Sequence, residues 1–222
     1  MIGRKFMNPL EYAKQICYSS EETLKFSYDM AVKYKDSPGV YVECGVAAGA
    51  QIIAMHSGAP GKLIYAFDSF QGIPLPSNHD DQMPGIRMLS EDERRLLPNP
   101  GEQLLETTGA TSVSEYDFWQ HIDAVFGQKR HNIKAVKGWF EETVPKTKTE
   151  IDQIAILRLD GDLYNSTRVC LLHLFPKVIE GGVVIIDDWS LKGCKDACND
   201  YFDLIYRTPD YKFISNIAYF YK

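Results

Sequence analysis

Two apolar runs of this chain break off at carboxylates. "IAILRLDGD" ends in Asp160 and Asp162, and "GGVVIIDDW" carries Asp187 and Asp188. Asp160 and Asp187 are 27 residues apart, enough for one crossover helix between two strands. A right-handed crossover sets the ends of neighbouring parallel strands side by side. Carboxylates gathered in that way repel one another and lose hydration unless a cation compensates them. An all-oxygen set without histidine or cysteine selects a hard cation, Mg²⁺ ahead of Ca²⁺ or Mn²⁺. The expected ligands are Asp160, Asp187 and Asp188. Two plainer readings stand beside this one, with Asp187 capping the next segment and Asp162 sitting at the N-terminus of a helix that starts at Ser166.

A second set lies upstream. "VECGVAAGAQ" places Glu43 one residue before a strand end, followed by Gly45 and Gly49. Gly45 suits a tight turn out of the strand, and Gly49 suits close approach of a ligand or strand to the following helix. The spacing is neither that of a dinucleotide fingerprint nor that of a P-loop, and no lysine follows to hold phosphates. Asp68, 25 residues beyond Glu43, is expected at the end of the next strand, where an acid can accept both ribose hydroxyls. Its alternative role is an N-cap for "SFQG". Glycine loop and acid together suit a nucleoside without phosphates, and S-adenosylmethionine (SAM) fits.

The elements that must position these groups read as alternating strands and helices. Residues 8–35 predict two helices, the second starting in "SSEET". Strands follow at "VYVECG", "KLIYAFDSF", "IKAVKGWF", "IAILRLDGD" and "GGVVIIDDW". Helices are expected at "AAGAQIIAMHSG", closed by Gly58, and at "VSEYDFWQHIDAVFG", "STRVCLLHLFPKVI" and "GCKDACNDYFDLIY". The last of these carries Cys194, Ala197, Cys198, Tyr201 and Ile205 on one stripe. "YKFISNIAYFYK" reads as paired strands, antiparallel to one another. The class is α/β, a mostly parallel sheet covered on both faces, whose ligands sit beyond the carboxyl ends of the strands. Residues 72–111, with five prolines, lose periodicity and read as a lid-like insert. Within it, "SEDERR" reads as a solvated helical turn.

Composition narrows the rest. The net charge of −6, with no basic stripe, argues against nucleic acid. No apolar run approaches the ~20 residues of a membrane span. Five scattered cysteines and no apolar leader point to reduced thiols and a cytoplasmic location, with Cys194 and Cys198 as core thiols. The expected organisation is one domain over 1–222, with residues 1–37 as an N-terminal helical segment.

In order, "VECGVAAGA", "AFDSFQGIP", "VKGWFEETVP", "LRLDGDLYNST" and "GGVVIIDDW" resemble the macrocin O-methyltransferase family from about Gly39 to the C-terminus. The resemblance implies a Rossmann-like class I fold with a seven-stranded sheet. It also implies a SAM- and Mg²⁺-dependent O-methyltransferase that acts on a sugar hydroxyl. Carried onto this chain, Glu43, Gly45, Val46, Ala47 and Gly49 would hold the methionine part of SAM and Asp68 its ribose. Ser69, Gly138, Trp139 and Phe140 would border the adenine. Asp160, Asp187 and Asp188 would hold Mg²⁺, with Asp160 also facing the cofactor. Family members form dimers or larger assemblies, which leaves a homo-oligomer open. The insert and the short N-terminus depart from the antibiotic enzymes, so the acceptor does not carry over.

Methyl transfer needs the acceptor oxygen in line with the sulfonium methyl and a base for its proton. Candidate bases are Asp160, Asp162 and His79. A carboxylate on a metal is a weak base, so His79, on a lid that closes over the site, is the more suitable, with a solvated loop residue as its plain alternative. His56, His121, His131 and His173 read as structural. Three rival readings remain. A glycosyltransferase would use Asp160-Gly-Asp162 as a D-x-D motif, a related methyltransferase would take a catechol or phenol, and a non-catalytic module would merely keep the fold.

Overall fold

The computed structural model describes residues 8–80, 95–99, 102, 105–127 and 132–222. His131 and most of the "SEDERR" turn lie outside them, as does the middle of the insert. Two helices, α1 (Pro9–Ile16) and α2 (Glu21–Tyr34), precede β1 (Val40–Cys44), and Ser20 caps α2 by accepting from the Thr23 N–H. Then come α3 (Ala50–Gly58), β2 (Ile64–Asp68), α4 (Glu115–Phe126), β3 (Ile133–Lys137) and α5 (Phe140–Thr147). The chain continues through β4 (Ile154–Leu159), α6 (Tyr164–Leu174), β5 (Val178–Ile186) and α7 (Lys192–Leu204). It ends in a hairpin of β6 (Lys212–Ile214) and β7 (Ile217–Tyr221).

The strands form one seven-stranded sheet in the order β3-β2-β1-β4-β5-β7-β6. Pairings from β3 to β5 are parallel, while β7 runs antiparallel to both β5 and β6. The two-residue period of a strand divides the core. Tyr41, Ile64, Ile156 and Ile185 pack toward α1–α4, and Val42, Phe67, Leu157 and Ile186 toward α5–α7. Central strands buried on both faces read as continuous apolar runs, which is why they were visible in the sequence.

Some boundaries moved. The helix expected over "STRVCLLHLFPKVI" starts earlier, at Tyr164, and ends at Leu174, because Pro176 lacks the N–H to continue it; a 3₁₀ turn intervenes and β5 begins at Val178. Helix α5 was not anticipated: eight residues with Pro145 inside give little periodic signal. On α7, Cys194, Ala197, Cys198 and Tyr201 are buried as expected, whereas Ile205 lies past the helix end and is 39% exposed. The insert opens with an antiparallel stem, in which Ile73 N–H donates to Ala110 O (3.0 Å) and Leu75 N–H to Glu106 O (2.9 Å).

Gly58 is the last residue of α3, and a Cβ there would stand 2.7 Å from Tyr28 O and 2.9 Å from Ala31 Cβ on α2. It therefore sets how closely α2 and α3 pack. Gly58→Ala is expected to lower stability by about 1–3 kcal/mol through overpacking. Gly61→Ala, with open space around the site, should stay within about 0.5 kcal/mol of the parent. Urea unfolding of both variants checks the pair, and equal midpoints would contradict the contact.

Candidate functional site

The parallel ladder runs one residue past each strand, and that extension builds the site. Gly45 N–H donates to Phe67 O (2.8 Å), Gly138 to Asp68 O (2.9 Å), Asp160 to Cys44 O (2.8 Å) and Asp187 to Leu159 O (2.9 Å). The expected residues after β1, β3, β4 and β5 are thus tied to their neighbours by backbone bonds. Gly45, Asp160 and Asp187 open onto a cavity of about 330 Å³, within the usual size range for small-molecule sites.

On one side of the cavity is the glycine loop. Gly45 has φ +92°, and a Cβ there would stand 1.7 Å from the Asp160 carbonyl oxygen, so no side chain fits. Gly49 has φ +87°, but what approaches it is the Phe118 ring of α4, and Gly49 does not line the cavity. Close approach was anticipated there; its agent is a core aromatic, not a ligand or a strand. Asp68 lines the cavity, yet its carboxylate is already engaged: Oδ2 accepts from Val46 N–H (2.8 Å) and Ala47 N–H (2.9 Å), and Oδ1 from Phe70 N–H (2.7 Å). The Phe70 bond is a local turn contact across two residues, and no helix follows for the N-cap role weighed from sequence. The other two clamp the loop, which sequence reasoning missed. Ser69, Trp139 and Phe140 also line the cavity, whereas Gly138 lies behind it against Thr143.

On the other side Asp160, Asp187 and Asp188 each offer an oxygen within 4.8 Å of the others. Behind them lies Arg158, fully buried, which the sequence reading passed over. Its Nη1 donates to Asp160 Oδ2 (2.7 Å) and its Nη2 to Asp187 Oδ1 (2.5 Å), and Nη1 lies 3.5 Å from Glu43 Oε1. Strand alternation explains the grouping. Glu43 pairs in register with Arg158, and Asp160 and Asp187 lie two residues beyond Arg158 and its other partner, Ile185. Asp162, at φ +59°, donates its backbone N–H to Asp188 Oδ2 (2.8 Å) and lines the cavity.

The electrostatics are those of an acid excess. Burial, then the neighbouring Asp187, hold the Asp160 carboxyl well above its ordinary range. Burial and Asp162 do the same for Asp188. Burial and Asp160 push Asp162 up to about 7. Burial raises Glu43 to about 8 although Arg158 opposes it, and Glu43 Oε2 has no partner. Burial disfavours charge on Arg158 as well, but Asp187, Asp160 and Glu43 outweigh it and raise its pKa. One guanidinium does not balance five carboxyl groups. An all-oxygen triad with an uncompensated negative charge fits a hard divalent cation.

His79 does not join the cavity lining. It sits in a 3₁₀ turn (Asn78–Asp80) with its ring 4.2 Å from that of Tyr164. Its neighbour Asp80 anchors the insert, accepting from Tyr164 N–H (2.8 Å) and from Ser77 N–H and Oγ (2.9 and 2.7 Å). His56 is buried against Phe126, His121 bonds Tyr12 and His173 bonds Lys148, all outside the lining. Several further lining residues were not anticipated, four of them polar or aromatic groups that reach the cavity from other elements. Tyr18 and Ser19 come from the α1–α2 connector, Gln51 from α3 and Asn216 from the β6–β7 turn. Ser19 Oγ donates to Asp187 Oδ2 at 3.3 Å.

A sheet ordered 3-2-1-4-5-7-6, helices on both faces and a ligand cavity past the parallel strand ends define the class I methyltransferase fold. The chain belongs to the macrocin O-methyltransferase (TylF) family, whose model matches residues 24–222. A Streptomyces olivaceus relative is named 8-demethyl-8-(2,3-dimethoxy-alpha-L-rhamnosyl)-tetracenomycin-C 4'-O-methyltransferase. It is 31% identical over 74% of this chain and 58% of its own length. Demethyldecarbamoylnovobiocin O-methyltransferase of Streptomyces niveus is 33% identical, again over 74% of this chain and 58% of the relative. The chain therefore spans less than two thirds of these curated relatives. The solved structure of the O-methyltransferase NovP superposes with a TM-score of 0.69 at 28% identity, covering 91% of this chain and 80% of that one.

The loop clamp gives a direct prediction. Asp68→Asn turns one of the two accepting oxygens into a donor facing backbone N–H groups, and should lower stability by about 1–3 kcal/mol. Urea denaturation of the variant measures it. An unchanged midpoint would show that the bonds lost with that oxygen contribute nothing.

Proposed function

We propose that this chain transfers the methyl group of SAM to a hydroxyl of a sugar-bearing small molecule, with a divalent cation held by Asp160, Asp187 and Asp188. The observation that carries the reading is the meeting of the clamped glycine loop and the acid triad in one cavity. The sugar comes from a relative whose name places its substrate among rhamnosyl tetracenomycins. No helix among the described residues is long and apolar enough to cross a membrane, in keeping with a small-molecule acceptor.

Bound SAM supplies an electrophilic methyl on sulfonium, and a bound divalent cation supplies the positive charge that makes an acceptor hydroxyl acidic. The chain's own groups do the rest. Gly45, Val46 and Ala47, fixed by Asp68, shape the wall for the amino-acid end of the cofactor, and the unpartnered Glu43 Oε2 is available to its ammonium group. Trp139 and Phe140 give the apolar wall for the base. Asp162 lines the cavity beside the triad, is not bound by Arg158, and is the group we assign to receive the acceptor proton. His79, packed on Tyr164, is not given that task.

The test uses SAM carrying a tritiated methyl group and a panel of nucleotide sugars, rhamnosylated aromatics and a catechol. Label is expected in sugar-bearing acceptors, lost in EDTA and restored by MgCl₂. Transfer to the catechol alone would change the acceptor class, and indifference to chelation would remove the metal. Asp188→Asn is the cleanest ligand variant, because its amide oxygen can still accept from Asp162 N–H and it does not bond Arg158. It should lose more activity than the ~10–100-fold that outer-shell partners of a metal cost, while S-adenosylhomocysteine still raises its melting temperature. A fully active Asp188→Asn would exclude that residue as a ligand.

A further inference from the structure

We infer that Arg158 is a positioning residue, an internal cation that holds Asp160 and Asp187 together when no metal is bound and shares their neutralisation with the metal when one is. The inference rests on the cation reading above and goes beyond it by assigning the second charge of the site. The geometry is specific. The two terminal nitrogens of one rigid plane reach two different strand ends, Asp160 after β4 and Asp187 after β5. That separation is fixed by the guanidinium fork, and a lysine, with a single point donor, cannot bridge it in the same way. Arg158 takes one oxygen of each aspartate and leaves the other free of it.

The burial points the same way. Arg158 is completely enclosed, and Glu43, the third acid near it, is 1% exposed. Among the described residues, every ion pair made by Glu43, Asp160 and Asp187 goes to this arginine. A buried ionic cluster is a poor source of stability compared with apolar packing of the same volume. Its worth lies in keeping two carboxylates at ligand distance despite their repulsion. Because guanidinium and metal ion neutralise the same two groups, they are partial substitutes for one another.

The test compares melting temperatures in EDTA and in MgCl₂, with the Mg²⁺ dissociation constant measured by titration calorimetry, for the parent, Arg158→Met and Arg158→Lys. Arg158→Met should melt below the parent in EDTA, and MgCl₂ should raise its melting temperature by more than it raises the parent's. Its Mg²⁺ binding should tighten by at least about tenfold, a floor well below the ~1,000-fold that a unit charge about 4 Å away commands at an effective dielectric of ~20. Arg158→Lys, which keeps the charge but not the fork, should fall between the two. Equal losses in EDTA and MgCl₂ would make Arg158 a packing residue and overturn the inference. So would a smaller Mg²⁺ response, which would mean that the arginine serves metal binding rather than standing in for it. If Arg158→Met folds only with MgCl₂ present, that supports the inference; if it folds in neither buffer, Arg158→Lys decides by the same comparison. A parent protein that ignores MgCl₂, MnCl₂ and CaCl₂ would remove the cation reading itself, an outcome separable from the variant results.

Discussion

A parallel strand places every second side chain on one face, and here that rule stacks charge where it is hardest to hold. Glu43, Arg158, Asp160 and Asp187 share the α1–α4 face of three adjacent strands at their carboxyl ends. Desolvation opposes all of their charges, and the balance differs from group to group. For Arg158 the attraction of the carboxylates wins, and it stays charged. For Glu43 burial wins over the arginine 3.5 Å away and raises its carboxyl to about 8. The arginine's two hydrogen bonds go to the two aspartates, at 2.7 and 2.5 Å. The cluster holds more acids than one arginine can balance, an excess relieved by proton uptake or by a further cation.

The two halves of the cavity are not independent. Asp160 N–H bonds the carbonyl of Cys44, the residue before Gly45, while the Asp160 carbonyl occupies the space where a Gly45 side chain would be. Asp68 draws the next turn of the loop down with two backbone bonds. A shift of the loop would therefore move an acid of the triad, and the reverse. In the proposed reaction, where a methyl and an oxygen must be aligned closely, this coupling puts the cofactor wall and the metal wall on one rigid frame.

Much of this was legible in the sequence because strands buried on both faces announce themselves and their acids mark the ends. The order of the strands and of every helix but α5, the antiparallel hairpin and the convergence of Asp160, Asp187 and Asp188 follow from that pattern. Arg158 was hidden by the same signal, since "IAILRLD" reads as an apolar strand and one charge within it looks incidental. The available clue was its odd position: a strand buried on both faces cannot take an arginine without a partner, and Asp160 is two residues on. Asp68 was read for its acidity, but its partners are backbone N–H groups that no residue type reveals. Tyr18, Ser19 and Asn216 reach the cavity through long-range packing that has no local period. The two ends of α6 moved for different reasons. Pro176 marks its C-terminal end, whereas its N-terminus is supplied from outside by Asp80.

That outside anchor bears on how the family varies its substrates. The walls nearest the glycine loop and the triad come from strand ends locked into the sheet. Much of the remaining lining comes from connections: Tyr18 and Ser19 between α1 and α2, Gly72 to Pro74 and Thr111 at the stem of the insert, and Asn216 in a hairpin turn. Connections change sequence and length at little cost to the core, whereas strand ends do not. Asp80 fixes the root of the insert to the start of α6, two residues past Asp162, so whatever the insert becomes, it begins beside the acids. In the proposed reaction such a frame would hold methyl donor and cation in place while the acceptor wall varies; the two relatives carry names with different acceptors, a tetracenomycin and a novobiocin.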